Sequence, residues 1–182
     1  PTSHMRTSRL KRTSQLLLNI DNEIYWRNGS MFPDGGYPQS DDYGEIAHWE
    51  PFLMVYMDWI KREFEPPYSA EAQKHIAFLM GMASHGMADQ SFDSMYMSRA
   101  WVYDSEQDWG NSMDEATDVV FIAQTHGQSV DDLWIPGELF VEFYEDHFSH
   151  LVSTNTLDIG QKLLEIALFY VEQSSLNEDL VA

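Results

Sequence analysis

The sequence predicts an all-α fold: a single helical bundle domain of about six or seven helices with a metal-binding cleft. Three observations carry the helical part. Apolar residues recur at three- and four-residue intervals through most of the 182-residue chain. No stretch of useful length alternates apolar and polar residues as a half-buried strand does. The breaks between periodic stretches hold Gly, Pro, Ser and Asp where helices start and stop. The length suits one domain with a sizeable core. Residues 6–175 are expected to form it, with 176–182 as a frayed tail. The opening PTSHM, residues 1–5, reads as a cloning remnant, and His4 is set aside with it.

In chain order, the first helix is expected over about 8–28, with Leu16, Leu17, Ile20, Ile24 and Tyr25 inward and Gly29 as its stop. The following GSMFPDGGYPQSDDYGEIA reads as a long loop, of the kind that is often functional inside a domain. It places Asp34 between Pro33 and a glycine pair. A second helix is expected over about 48–64, apolar on Trp49, Phe52, Leu53, Tyr56, Trp59 and Ile60, ending before EPP. Ser69 caps a third, which extends to about residue 99. Ser112 and Glu115 have capping-box spacing and start a fourth, to about residue 124. Two more are expected over about 136–151 and 155–173.

Composition narrows the function. At 43% hydrophobic and 14% aromatic residues the chain is globular rather than disordered. No apolar run reaches bilayer-spanning length, and the opening residues do not read as a signal peptide. Thirty acidic residues against ten basic give a formal charge of −20, which repels nucleic acid and anionic bilayers and excludes both as expected partners. Arg6, Arg9, Lys11, Arg12 and Arg27 lie near the start, so the remainder is more acidic still. That slightly favours acids converging on cations over a merely solubilising coat. There is no cysteine, so thiolate chemistry is excluded and any metal falls to His, Asp and Glu.

The stretch FLMGMASHGMADQSFDSMY spaces His85, Asp89 and Asp93 by four, which stacks them on one helix face about 6 Å apart. Asp114 and Asp118 repeat that spacing further on, and His48 stands at the start of the expected second helix. A divalent ion takes ligands from one helical face and more from a neighbour, and two such pairs meet that demand. Singly, each pair is more often a hydrogen bond or a weak surface pair, and Asp114 and Asp118 also suit a helix N-terminus. Spacing alone leaves metal binding open. The other histidines read as ordinary: His75 exposed early on the third helix, His126 capping a helix end, His147 and His150 on a helix surface.

Recognition of motifs goes further. GSMFPDGGYP, then HWEPFLMVYMDWIKREFEPPYSAEAQKHIAFLMGMASHGMAD, then DEATD and LWIP, resemble the zinc-dependent phospholipase C family. The closer likeness is to the N-terminal catalytic domain of its glycosylphosphatidylinositol-specific phospholipase D branch. It covers roughly residues 17–145 in collinear order, and F-P-D, H-W-x-P-F-L and F-L-x-G-x-x-S-H-x-x-A-D are specific as a set. The resemblance implies an all-α bundle holding three zinc ions in a cleft, hydrolysis of a phospholipid or lipid-anchor phosphodiester, and a secreted or lumenal location. It implies that His48, His85 and Asp89 form one zinc site, that Asp89 is shared with a second ion, and that Asp34 is the base for the attacking water. Asp93 and the Asp114/Asp118 pair fall where the remaining site is built.

That remaining site departs from the family pattern, which has histidine where Asp93 and Asp114 stand. An all-oxygen trio is harder and more negative, better suited to calcium, magnesium or manganese than to zinc. The added negative charge near a phosphate weakens catalysis. A further family site, built on the mature N-terminal residue and a nearby histidine, finds no match: no histidine lies between Met5 and Ala47. The expectation is a metal-dependent phosphodiester hydrolase of the phospholipase C/D kind. The alternative is a non-catalytic descendant, a metal-stabilised binding or scaffold domain. The number of bound ions separates them, two or more for hydrolysis and one or none for a scaffold.

Overall fold

The computed structural model describes residues 15–16, 18–92 and 132–175. Among the described residues the chain forms six α-helices and no strand, in keeping with the all-α expectation. The helix expected over 112–124, the far end of the third expected helix and the tail lie outside the described residues. No helix among the described residues is long and apolar enough to cross a membrane.

A 3₁₀ turn, Ile20–Asn22, leads into α1, Glu23–Met31. The Asn19 side chain caps the turn by accepting from the Asp21 N–H at 3.3 Å. Ile20, expected inward, is exposed. Gly29 does not stop α1 but lies buried inside it. The reason is the crossing with α4, Ala70–Phe92. A Cβ on Gly29 would collide with the Phe78 carbonyl, and one on Gly81 with the Trp26 carbonyl. The two backbones approach more closely than any side chain allows, so this glycine serves packing rather than termination.

The expected loop is folded into short helical pieces. Phe32–Gln39 is a 3₁₀ run that buries Phe32 and Pro33, and Ser40 closes it in the left-handed region at φ 55°. Helix α2, Tyr43–His48, follows at once. Helix α3, Glu50–Glu63, starts with Pro51 in its first turn, where the missing N–H costs nothing. It buries Phe52, Tyr56 and Ile60 at four-residue spacing, while Trp49, expected in the core, precedes the helix and is half exposed. Ser69 Oγ caps α4, accepting the Ala72 N–H at 3.2 Å, as expected. Helices α5, Gly137–Phe148, and α6, Thr154–Ser175, complete the bundle. Asn28 of α1 donates to the Asp132 carbonyl at 2.9 Å, and Gln161 of α6 donates to the Asn28 carbonyl at 3.3 Å.

The core is aromatic and centres on Phe140. Its ring lies 5.0–5.7 Å, centroid to centroid, from Phe32, Phe52, Tyr56 and Phe78, in edge-to-face contact with each. One α5 side chain thus joins the 3₁₀ run, α3 and α4. His75, read as exposed from the sequence, is buried instead. The Tyr56 hydroxyl lies 2.8 Å from its Nδ1, and the rings of Trp59, Trp134 and Phe64 surround it. Burial pushes its pKa below the usual histidine value of 6.5, although Glu71, with a carboxylate oxygen 3.7 Å away, pulls the other way.

Two outcomes follow from this packing. Phe140→Ala should cost about 3–5 kcal/mol in chemical denaturation, because it empties the contact shared by three elements. His75 folds preferentially in its neutral form, so its contribution is complete above pH 6.5 and is lost as pH falls through the lower folded-state pKa. The stability difference between the wild type and His75→Gln, followed from pH 7.5 to 5, should therefore shrink with acidification; a flat difference would refute the neutral buried imidazole.

Candidate metal centre

Asp34 is carried by the 3₁₀ run, two residues after Phe32, which the aromatic core fixes. His48 is the last residue of α2, and its Nδ1 lies 2.7 Å from the Gly44 carbonyl. With the Nδ1–H donated there, the Nε2 lone pair is left to face the site, the arrangement found behind metal-bound imidazoles. His85 and Asp89 stand four apart on α4. Gly86 lets that helix come against the end of α2, since a Cβ there would sit 3.0 Å from the His48 carbonyl oxygen.

These elements bring three donor atoms to one point. The separations are 3.3 Å for His48 Nε2 to Asp34 Oδ1, 3.5 Å for His85 Nε2 to Asp34 Oδ1, and 3.1 Å between the two Nε2 atoms. A tetrahedral ion with bonds of about 2.0–2.1 Å spaces its ligands about 3.3 Å apart, so the triangle has the edge lengths such an ion requires. Asp34, His48 and His85 form the group of donors lying within 4.8 Å of one another among the described residues. Asp89 Oδ2 reaches both imidazoles, at 3.1 Å from His85 Nε2 and 3.5 Å from His48 Nε2, without joining that mutual group. Asp93, Asp114 and Asp118 lie outside the described residues.

The electrostatics are those of a site filled by protons when it holds no cation. Burial alone would lower the His85 pKa, but Asp34 and Asp89 overcome it and push it up to about 10. His48 is likewise raised against its burial, chiefly by Asp34 and by the Gly44 carbonyl. Burial alone would raise the Asp34 carboxyl, and the two imidazoles instead hold it well below the usual carboxylate range. Two Nε2 atoms 3.1 Å apart leave room for one proton between them. A divalent cation satisfies all the lone pairs at once.

Beside the centre opens a cavity of ≈ 600 Å³. His48 and Asp89 line its inner side, with Tyr37, Glu45, Trp49, Gly86 and Gln90 around them. Sequence reasoning passed over Tyr37 and Glu45 and assigned Trp49 to the core. The usable signal was Trp49 directly after His48, outside the stretch that α3 buries.

Compared with known proteins, the chain is similar to phosphatidylinositol-glycan-specific phospholipase D from Bos taurus, with 26% identity over 168 residues, 84% of this chain and 20% of the relative. The Rattus norvegicus protein of the same name is 23% identical over 176 residues, covering 88% and 21%. The Homo sapiens one is 30% identical over 91 residues, covering 47% and 11%. The chain thus spans about a fifth of the length of the Bos taurus and Rattus norvegicus proteins. This similarity supports the phospholipase D resemblance read from the motifs. No family model matches, and no solved structure does.

The raised His85 pKa makes a prediction for the metal-free protein. Its stabilising contribution is complete below pH 6.5 and is lost as pH rises through about 10. NMR titration of the imidazoles should find His85 still charged at neutral pH in metal-free protein, and Asp34→Asn should bring it down toward 6.5. A His85 that titrates normally in the wild type would show that the carboxylates do not converge on it.

Proposed function

We propose that this domain is a metal-dependent phosphodiester hydrolase, acting on a phospholipid or lipid-anchor phosphodiester. The observation that supports it is the Asp34–His48–His85 triangle, whose edges suit a tetrahedral ion and which lies at the side of an open cavity. The relatives' name, phosphatidylinositol-glycan-specific phospholipase D, supplies the substrate class. Two imidazoles and a carboxylate favour zinc over calcium or magnesium, which prefer oxygen alone. Zinc would polarise the phosphoryl oxygens and lower the pKa of water near phosphorus.

His48 and His85 would hold the ion in their neutral forms, which requires losing the proton that the metal-free site retains. Asp34 would hold it from the third side. The resemblance gives Asp34 the further role of base for the attacking water, and its Oδ1 lies 3.3 and 3.5 Å from the two imidazole nitrogens that would flank the ion. Asp89 would complete the ligand set or be shared with a second ion, a reading supported by its reach to both imidazoles. Asp93, Asp114 and Asp118 are proposed for that second, oxygen-rich site, which would take calcium, magnesium or manganese.

The test is metal counting followed by turnover. Dialysed protein should retain zinc, with apparent affinity rising with pH as the imidazoles deprotonate. His85→Ala should weaken zinc binding by more than the roughly 10–100-fold that follows loss of an outer-shell partner. Zinc-loaded protein should cleave a glycosylphosphatidylinositol-anchored reporter, and His85→Ala should not. Zinc bound without cleavage, under zinc, manganese or calcium, would replace this reading with the metal-stabilised binding domain.

A further inference from the structure

Away from the triangle, two polar side chains meet across the bundle. His150, read from the sequence as a helix-surface residue, lies two residues past the end of α5, where Ser149 turns the chain at φ 52°. Its backbone N–H returns to the Tyr144 carbonyl at 3.0 Å. Its Nε2 lies 2.9 Å from Asp41 Oδ1, although the two residues are 109 apart in sequence. Asp41 stands midway along the chain between Asp34 and His48. The same Oδ1 accepts the Tyr43 N–H at 2.9 Å, at the start of α2, whose N-cap residue Asp42 makes no side-chain bond. The Tyr43 carbonyl accepts the Tyr144 hydroxyl at 2.9 Å. Tyr43 is thus gripped at both backbone groups from the end of α5, once directly and once through His150.

The next residue is Gly44, whose carbonyl lies 2.7 Å from His48 Nδ1 and, by accepting its N–H, sets where Nε2 points. Gly44 also lies against the segment that carries Asp34, for a Cβ on it would collide with the Pro33 carbonyl. Helix α2 has only six residues, and a helix that short does not hold its own shape in water. Its position has to come from outside. From this we infer that Asp41 and His150 are positioning residues: their hydrogen bond fixes Tyr43 and Gly44, and through the Gly44 carbonyl it orients the His48 imidazole. The inference rests on the reading of the triangle as the metal centre. Two plainer accounts fit less well. An ordinary surface pair is exposed and contributes little, whereas these side chains are 22% and 25% exposed and join distant elements. A simple cap for α2 would need only Asp41, without a partner on α5.

The experiment uses the full 182-residue chain and two readouts. Zinc affinity is measured by competition with a chromophoric chelator. Exchange of the His48 Nδ1–H with water is followed by NMR, in metal-free and zinc-loaded samples. His150→Ala and Asp41→Ala should each weaken zinc binding by roughly tenfold, the lower end of the range for outer-shell partners, and speed that exchange. Asp41→Asn keeps an acceptor oxygen for both donors and should restore both readouts nearly to wild type. If Asp41→Ala fails to fold, His150→Ala carries the test, with His150→Gln, which keeps a donor, as its rescue. Ile60→Val and Ile60→Ala, at the far end of α3, lower stability without touching the pair and should leave both readouts unchanged. Wild-type affinity and exchange in both alanine variants, or losses equalled by an Ile60 variant of the same stability, would overturn the positioning role. If the wild type binds no zinc, faster metal-free exchange in the alanine variants would still support positioning of His48 and count against the hydrolase reading alone; unchanged exchange would overturn both.

Discussion

The candidate metal centre depends on one constraint: three separate elements must be held in register about a common point. The aromatic cluster around Phe140 supplies that register. Phe32 anchors the run that carries Asp34, Ala47 and Phe52 flank His48, and Phe78 with Met82 lies just before His85; all belong to the same buried cluster. Each donor therefore sits within a turn or two of a residue that the core fixes. Edge-to-face rings are stiff spacers, with few rotatable bonds and preferred separations, so the register is set by shape. The glycines supply the complement. Where Gly29 and Gly81 meet, backbones close to distances that side chains would prevent, and Gly86 leaves room for a tight approach to the end of α2.

Register alone would bring together groups that repel or compete. Two imidazole nitrogens 3.1 Å apart, with carboxylates on both, form a stable arrangement only when a positive charge sits among them. In metal-free protein a proton meets that need, and the attraction appears as opposed shifts, the Asp34 carboxyl lowered and the His85 imidazole raised. A cation in place of that proton would satisfy the same donors, and the overall charge of −20 would favour it. The constraint that makes the site also sets its pH dependence.

Much of this was legible in the sequence. Helical periodicity and capping residues gave the fold class and placed α3, the start of α4, α5 and α6 closely, because those helices follow local rules. The four-residue step from His85 to Asp89 was readable as one helical face for the same reason. What was missed depends on distant partners. Gly29 has the same local signature whether it ends a helix or admits a neighbouring one, and only the position of Phe78 decides. The Gly- and Pro-rich stretch from 29 to 47 reads as loop by composition, yet those residues also suit a tight 3₁₀ run whose carbonyls face other backbone. His75 looked exposed because a lone polar residue early on a helix usually is. Its burial is set by Trp59, Phe64 and Trp134, which come from other parts of the chain.

The H-W-x-P-F segment shows why a few adjacent residues can carry so much. His48 closes α2 with its Nε2 toward the centre, while Trp49 leaves the helical conformation at φ −101° and ψ 155°. That single extended residue turns the chain, so the imidazole and the indole line the same cavity from consecutive positions. Pro51 then starts α3, and Phe52 enters the aromatic cluster. The Trp49 indole is therefore referred to the same backbone as the His48 Nε2 that faces the candidate centre. With one residue between the end of α2 and the start of α3, there is no flexible linker through which the two could drift apart. The cavity wall and the His48 donor are then placed together, by one turn of chain anchored at Phe52.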